Sequence, residues 1–352
     1  MRLCLRSQKT KSTFIAIIAQ LEPATDFVTF RFCSDHASNH SFVHIQGMDK
    51  AHVCLYDIQL QNTFFDEMVM MSSYGANASV SSLVKPLQNM AIGNGCSVEE
   101  IDDGADSETA SVSLRTMKVS VPTKHFKTIL GMAKDDQMIV IEVADESNND
   151  IMLVHLKKAD PCIASATTIA VFKVPLVNSD VELMNVNALP ESQADFTLAS
   201  SKLAEALSNL SVCGGDTVSF QFSEFQIAIC SHGMNGAAEV FITSDLLTDY
   251  ALDMEGGDGG DGGGVVVDQQ EGEDLFGDAE VENKIEMPSL KLKVCFSLGY
   301  LQKFCVNQKI SPTMTVQVGS EIPMRLCYPL GEDGESYVRW FIAPKVPGMD
   351  DD

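Results

Sequence analysis

The chain has 352 residues, enough for two domains of ordinary size, and its 45% hydrophobic content supports a buried core. No run of about 18 apolar residues is available to cross a membrane. A formal net charge of −25 argues against a protein that grips DNA with a basic outer surface. That charge is uneven: residues 99–108 and 245–286 hold 20 of the 49 acidic side chains against the single Lys284, so the rest is only mildly acidic. The FIAIIA stretch at 14–19 is too short for a signal peptide, which favours a soluble intracellular protein. The ten cysteines show no C-x-x-C spacing and lie mostly in apolar runs such as LKVCF and MRLCY, so they read as reduced core residues.

In chain order, an apolar stripe of Phe14, Ile17, Ile18 and Leu21 predicts a helix over 12–21. Alternation predicts strands over 27–32, 43–46 and 52–60. A Ser-, Asn- and Asp-rich insertion follows at about 72–113. A second helix is expected at 123–133, with Phe126, Ile129, Leu130 and Ala133 on one face, then strands at 138–143, 151–156 and 168–177. A polar join with Pro190 runs to about 195. A third helix is expected at 200–210, strands at 217–222 and 224–230, and a Gly- and Asp-rich spacer around 254–278 within a larger acidic insertion, about 245–286. Strands at 290–296, 313–318, 324–328 and 337–342 surround a fourth helix at 298–306. Ser12, Thr123 and Ser200 are the expected N-caps. The order nearly repeats, and DDQMIVIEV after the second helix resembles SPTMTVQV after the fourth. The class is α+β with mostly antiparallel sheets.

No phosphate-binding loop, G-x-S-x-G or H-E-x-x-H motif occurs, and no catalytic, cofactor or metal site is predicted. His36, His40 and His44 would align only on a helix, and their context reads as a turn between strands. The acidic clusters sit in Gly-rich segments ill suited to fixed ligand geometry, which disfavours a metal-dependent nuclease.

Four phrases in order carry a family resemblance: IQGMDKAHVCL at 45–55, VPTKHFKTILGMAKDDQMIVIEVADE at 121–146, NALPESQ at 187–193 and WFIAPK at 340–345. They resemble the proliferating cell nuclear antigen family of DNA sliding clamps. SVCGGDTVSF and FSLGYLQKF fit between them in order. The resemblance implies two similar clamp domains, 1–178 and 196–352, joined by a connector at 179–195. It implies a ring, usually a homotrimer, with sheets outside and two helices per domain lining the hole. Protomers would meet edge to edge through strands near 168–177 and 227–234.

The same resemblance implies a non-enzymatic processivity factor that encircles duplex DNA without reading sequence and docks DNA polymerase, clamp loader and repair proteins, in the nucleus or at a viral replication site. DNA-facing candidates are Lys9, Lys11, Lys124, Lys127, Lys134, Lys202, Lys303 and Lys309, flexible point charges suited to sliding past phosphates. The implied partner-peptide pocket comprises Met48, His52, Leu55, Val186, Leu189, Pro323, Phe341, Ala343 and Pro344; apolar pockets of this kind accept short helices with aromatic anchors. Met48, Leu55 and Phe341 also fit a plain core role. Two alternatives stay open: a subunit of a heterotrimeric checkpoint clamp, and a monomeric viral-type polymerase accessory protein that holds DNA by surface charge.

Overall fold

The computed structural model describes residues 1–35, 40–69, 114–143, 150–158, 167–179, 182–252, 290–305, 308–331 and 334–345. The expected insertion at 72–113 lies outside them, as does the Gly- and Asp-rich spacer. Strand alternation and helical stripes build the same series twice. The first half runs β1 (Arg2–Leu5), α1 (Gln8–Leu21), β2 (Phe27–Asp35), β3 (His40–Met48), β4 (Cys54–Gln61), β5 (Glu67–Val69), β6 (Leu114–Pro122), α2 (Thr123–Leu130), β7 (Gln137–Val143), β8 (Ile151–Lys158) and β9 (Thr167–Pro175). The second runs β10 (Ala194–Ala199), α3 (Ser200–Leu210), β11 (Thr217–Phe222), β12 (Gln226–Gly233), β13 (Gly236–Thr243), β14 (Tyr250–Leu252), β15 (Leu292–Ser297), α4 (Leu298–Cys305), β16 (Thr313–Val318), β17 (Met324–Leu330) and β18 (Ser336–Ile342).

All strand pairings among the described residues are antiparallel and form three sheets, ordered β5-β1-β7-β8-β9, β14-β10-β16-β17-β18-β4-β3-β2-β6 and β13-β12-β11-β15. The nine-stranded sheet crosses the halves because β18 pairs with β4, Trp340 opposite Tyr56 and Val338 opposite Ile58. One side chain in two along each strand points to the helices. Trp340 stacks on Phe304 of α4 at 4.2 Å, and Phe14 of α1 meets Phe126 of α2 edge-on at 6.4 Å. Fully burying such a side chain stabilises by about 1.5–3 kcal/mol, so the helix-facing side of the sheets supplies most of the core. Seven described cysteines are free thiols, five of them buried.

Several expectations are corrected. The helix N-caps are Ser7, Pro122 and Ala199, and none makes a side-chain cap bond. Instead Asp66, far along the chain, accepts the amides of Arg6 and Ser7, which starts α1 earlier than its apolar stripe. The Ser200 hydroxyl donates to the Ser311 carbonyl, holding α3 to the segment before β16. Helix α2 ends at Leu130, where Met132 and Ala133 make i to i−3 turns. Residues 245–252 are not all insertion: β14 pairs with β10. The second edge strand is β13, whereas β12 lies inside its sheet between β11 and β13.

Candidate nucleic-acid face and docking groove

The four helices form a row on one side of the sheets. Helix α1 packs on α2, and α3 packs on α4. Gln20 of α1 donates to the Phe304 carbonyl of α4 at 2.6 Å, which ties the pairs together across the halves. The helices carry six lysines and one acidic residue, Glu205, in a chain of net charge −25. Lys9, Lys124 and Lys303 are exposed, the last with its ammonium 5.3 Å from the Tyr300 ring centre. Lys127 pairs with Glu22 at 3.3 Å, both half-buried, and Lys202 with Glu205 at 3.4 Å on the open surface, where such pairs hold loosely. Lys134 and Lys309 are exposed in the turns after α2 and α4.

Lys11 departs from the expected DNA-facing set. It is 3% exposed, and its ammonium donates to the carbonyls of Lys134, Asp135 and Gln137. Burial lowers its pKa, partly offset by Asp135 and Asp136. Its position next to Lys9 suggests a surface charge, but the alternation around α1 turns it towards the α2–β7 turn, where it ties down three carbonyls.

On the opposite side of the nine-stranded sheet, a cross-strand row brings Met48, Leu55, Phe341, Arg325, Gln317 and Asp195 side by side. Leu55 and Phe341 are 8% and 4% exposed yet lie outside the helix-side core cluster. The Arg325 guanidinium lies 5.4 Å from the Phe341 ring centre and donates to Gln317 at 3.0 Å, which in turn donates to Asp195 at 3.3 Å. The segment after β9 is held to β3 by paired bonds between Gln46 and the Met184 backbone, 2.7 and 3.0 Å. Leu189 and Pro323 line a cleft of about 470 Å³ together with Ile322, Arg325, Glu191 and Asp195. Val186 stands apart from that lining, half-buried in a short 3-10 turn, Val186–Ala188.

The β3–β4 turn forms another wall. His52 has φ of 56°, a left-handed value uncommon outside glycine. The Asp49 carboxylate holds this turn by accepting the amides of Ala51, Val53 and Cys54 at 2.7–3.2 Å. Tyr300 of α4 donates its hydroxyl to the same carboxylate at 2.8 Å. Burial raises the Asp49 pKa, but the Cys54, Tyr300, Ala51 and Val53 donors outweigh it and the net direction is down. Burial first, then Asp49, pushes the Tyr300 phenol up to about 12. Ala343 and Pro344 leave β18 along this turn, with the Ala343 amide on the Val53 carbonyl at 2.9 Å.

Arg325, Gln46 and Tyr300 were not among the sequence candidates. Strand alternation puts Arg325 on the same side as Phe341 only once the β17–β18 register is known. His44 pairs with Asp57 at 2.7 Å rather than with other histidines; His36 lies outside the described residues. Among the described residues no group of three or more His, Cys, Asp or Glu could hold a metal ion.

No protein-family model matches the chain. A 55-residue stretch is 38% identical to the proliferating cell nuclear antigen of Chaetomium thermophilum, covering 16% of this chain and 20% of that protein. The whole fold matches solved structures far more broadly. The PCNA2–PCNA3 complex of Sulfolobus tokodaii superposes with TM-score 0.63 at 16% identity, over 98% of this chain and 99% of that one. The PCNA of Thermococcus kodakaraensis matches with TM-score 0.63 at 15% identity over 98% and 99%, and that of Entamoeba histolytica with 0.63 at 14% over 98% of both. The chain therefore has the two-domain fold of a proliferating cell nuclear antigen-type sliding clamp.

Proposed function

We propose that this protein works as a sliding clamp: copies close into a ring, a homotrimer by resemblance, whose helical face surrounds duplex DNA. The observation that carries this reading is charge segregation: apart from the buried Lys11, the four helices carry five lysines against one glutamate in a chain of net charge −25. A ring stays on DNA by topology, so its phosphate contacts can be few and fast-exchanging. Acidic surface elsewhere discourages adhesion to DNA from outside. Exposed lysines on helix backs meet phosphates without reading bases.

The outer groove supports the second half of the proposal. Leu55, Phe341, Pro323 and Leu189, beside the His52 turn, suit a short partner helix with aromatic anchors of the kind carried by polymerase, clamp loader and repair proteins. The protein would act as a scaffold in nuclear replication, without a reaction of its own. Two measurements test this: mass in solution, and retention on nicked circular against linearised plasmid after loading. Retention on circles and loss from linear ends is expected. Equal retention on both would mean surface adhesion, and the clamp reading would fall.

A further inference from the structure

At the β11–β12 turn of the four-stranded sheet, Phe225, Leu246 and Leu290 are 67%, 52% and 54% exposed. Their backbones are fixed. The turn Ser223–Gln226 is closed by the Ser223 amide and hydroxyl, both donating to the Gln226 carbonyl at 3.0 Å. The Ser244 amide donates to the Phe225 carbonyl at 3.0 Å and brings the short 3-10 turn Ser244–Leu246 to one side. The Lys291 amide donates to the Phe222 carbonyl at 2.9 Å and brings Leu290 to the other. Three large apolar side chains from three separate stretches thus share one end of a sheet. None of them belongs to the docking groove or to the helices.

The same end is where the chain leaves and re-enters the described residues. Tyr250 of β14 donates its hydroxyl to the Ser223 carbonyl, two residues before Leu252, and the next described residue is Leu290. Residues 253–289 therefore start and finish beside the patch. They hold twelve acidic residues against Lys284, and one aromatic, Phe276, directly after Leu275. Phe276 stands fourteen positions before Leu290. At about 3.3–3.6 Å per residue that length spans the patch several times over. Charges around the patch are mixed, Lys291 and Lys293 on β15 against Glu224 and Asp245 in the turns. Apolar side chains, rather than charge, have to carry a contact there.

We infer that this patch is the docking surface of the chain's own segment 275–287, with Leu275 and Phe276 as its anchors. Size selects this occupant. Three side chains offer on the order of a few hundred Å², well below the roughly 1,200 Å² that a stable complex between separate molecules buries. A tethered segment needs far less, because a short tether gives it an effective concentration of about millimolar. Within residues 253–289 an aromatic adjoins a large aliphatic only at Leu275 and Phe276. The valines at 265–267 follow three glycines and offer smaller side chains. Docking covers three apolar side chains that water would otherwise surround, and it holds the acidic residues around Leu275 and Phe276 against this end of the sheet. A partner protein would take the patch only by displacing the segment, so Leu275 and Phe276 would tune its binding. This contact does not depend on ring closure.

The test places a photo-cross-linker in the full chain, Phe225→benzoylphenylalanine, which keeps a large aromatic group at the turn. A urea midpoint equal to the parent's shows that the fold is intact. Irradiation of dilute protein should join position 225 to residues 275–287 of the same chain, as mapped by peptide mass spectrometry. Leu275→Ser with Phe276→Ser should lower that yield by about fivefold or more, because the apolar burial of both anchors is lost. Val265→Ser with Val267→Ser should leave it unchanged. Equal yields from the two double variants would mean random collision of the tether and overturn the assignment. Cross-links confined to covalent dimers would put a second copy on the patch and overturn it as well. Absence of any cross-link to 275–287 would leave the patch to a partner outside this chain, again overturning it.

Discussion

At the β4–β18 joint Trp340 and Tyr56 face each other across the ladder, 0% and 3% exposed, with Phe304 stacked behind. At the β9 and β13 ends of the other two sheets Phe172 and Ala238 are only partly buried, and Val171 and Phe241 are about half exposed. The joint is held by one chain and needs no concentration of partners. It can therefore carry large aromatic side chains that would be a hazard on an open edge. The free strands carry Lys173 and Glu239 on their exposed side, charges that an open edge tolerates. The difference separates a joint that one chain closes by itself from edges that it leaves paired on one side among the described residues.

The largest effect should come from emptying the closed joint. Trp340→Ala is expected to cost about 3–5 kcal/mol, read as a lower urea midpoint. A loss under about 1 kcal/mol would mean that the joint is not what holds the halves together. Lys11→Met keeps most of the packing volume but leaves three carbonyls without their donor, so a loss of about 1–3 kcal/mol is expected. Lys124→Met on the open helical face should leave the midpoint unchanged. If the two variants melt alike, Lys11 is not a structural residue.

A smaller effect concerns the turn that leads into β4. Asp49 has its pKa lowered in the folded chain, so its contribution is complete above the unfolded carboxylate value of about 3.9 and is lost as pH falls through the lower folded value. Asp49→Asn should therefore differ from the parent most at neutral pH and converge with it in acid. Tyr300→Phe removes one donor, should cost about 1 kcal/mol and should narrow that difference. A gap that stays constant down to acid would exclude the carboxylate as its source. The smallest change in chain stability belongs to the open edge. Val171→Asp, on the half-exposed β9 edge, should weaken any association of copies through that edge by about tenfold or more while the urea midpoint of the isolated chain moves by less than about 0.5 kcal/mol. Unchanged association by light scattering would count against β9 as a contact between copies.

The alternation of TVSFQF and TMTVQV marks β11 and β16 to the residue, and the stripe of Leu203, Ala206, Leu207 and Leu210 marks α3. In such segments each position's side is set by local periodicity, which is written in the chain. Strand β13, GAAEVFIT, begins with small residues that show no alternation and is not expected from the sequence, and the edge that the resemblance implies near 227–234 falls on β12, one strand inside. The start of α1 depends on Asp66 and could not be found from its own neighbours.

The sequence by itself determined the α+β class, the repeated order of elements and the concentration of lysine on the helices, because each is a property of residues near one another in the chain. Only the tertiary structure decided that Lys11 is buried, that Arg325 covers Phe341, that Tyr300 holds the Asp49 turn, and that β13 rather than β12 ends its sheet among the described residues. Those outcomes hang on strand pairing and register between residues up to hundreds of positions apart, and a shift of one residue would have reversed every side chain in the row.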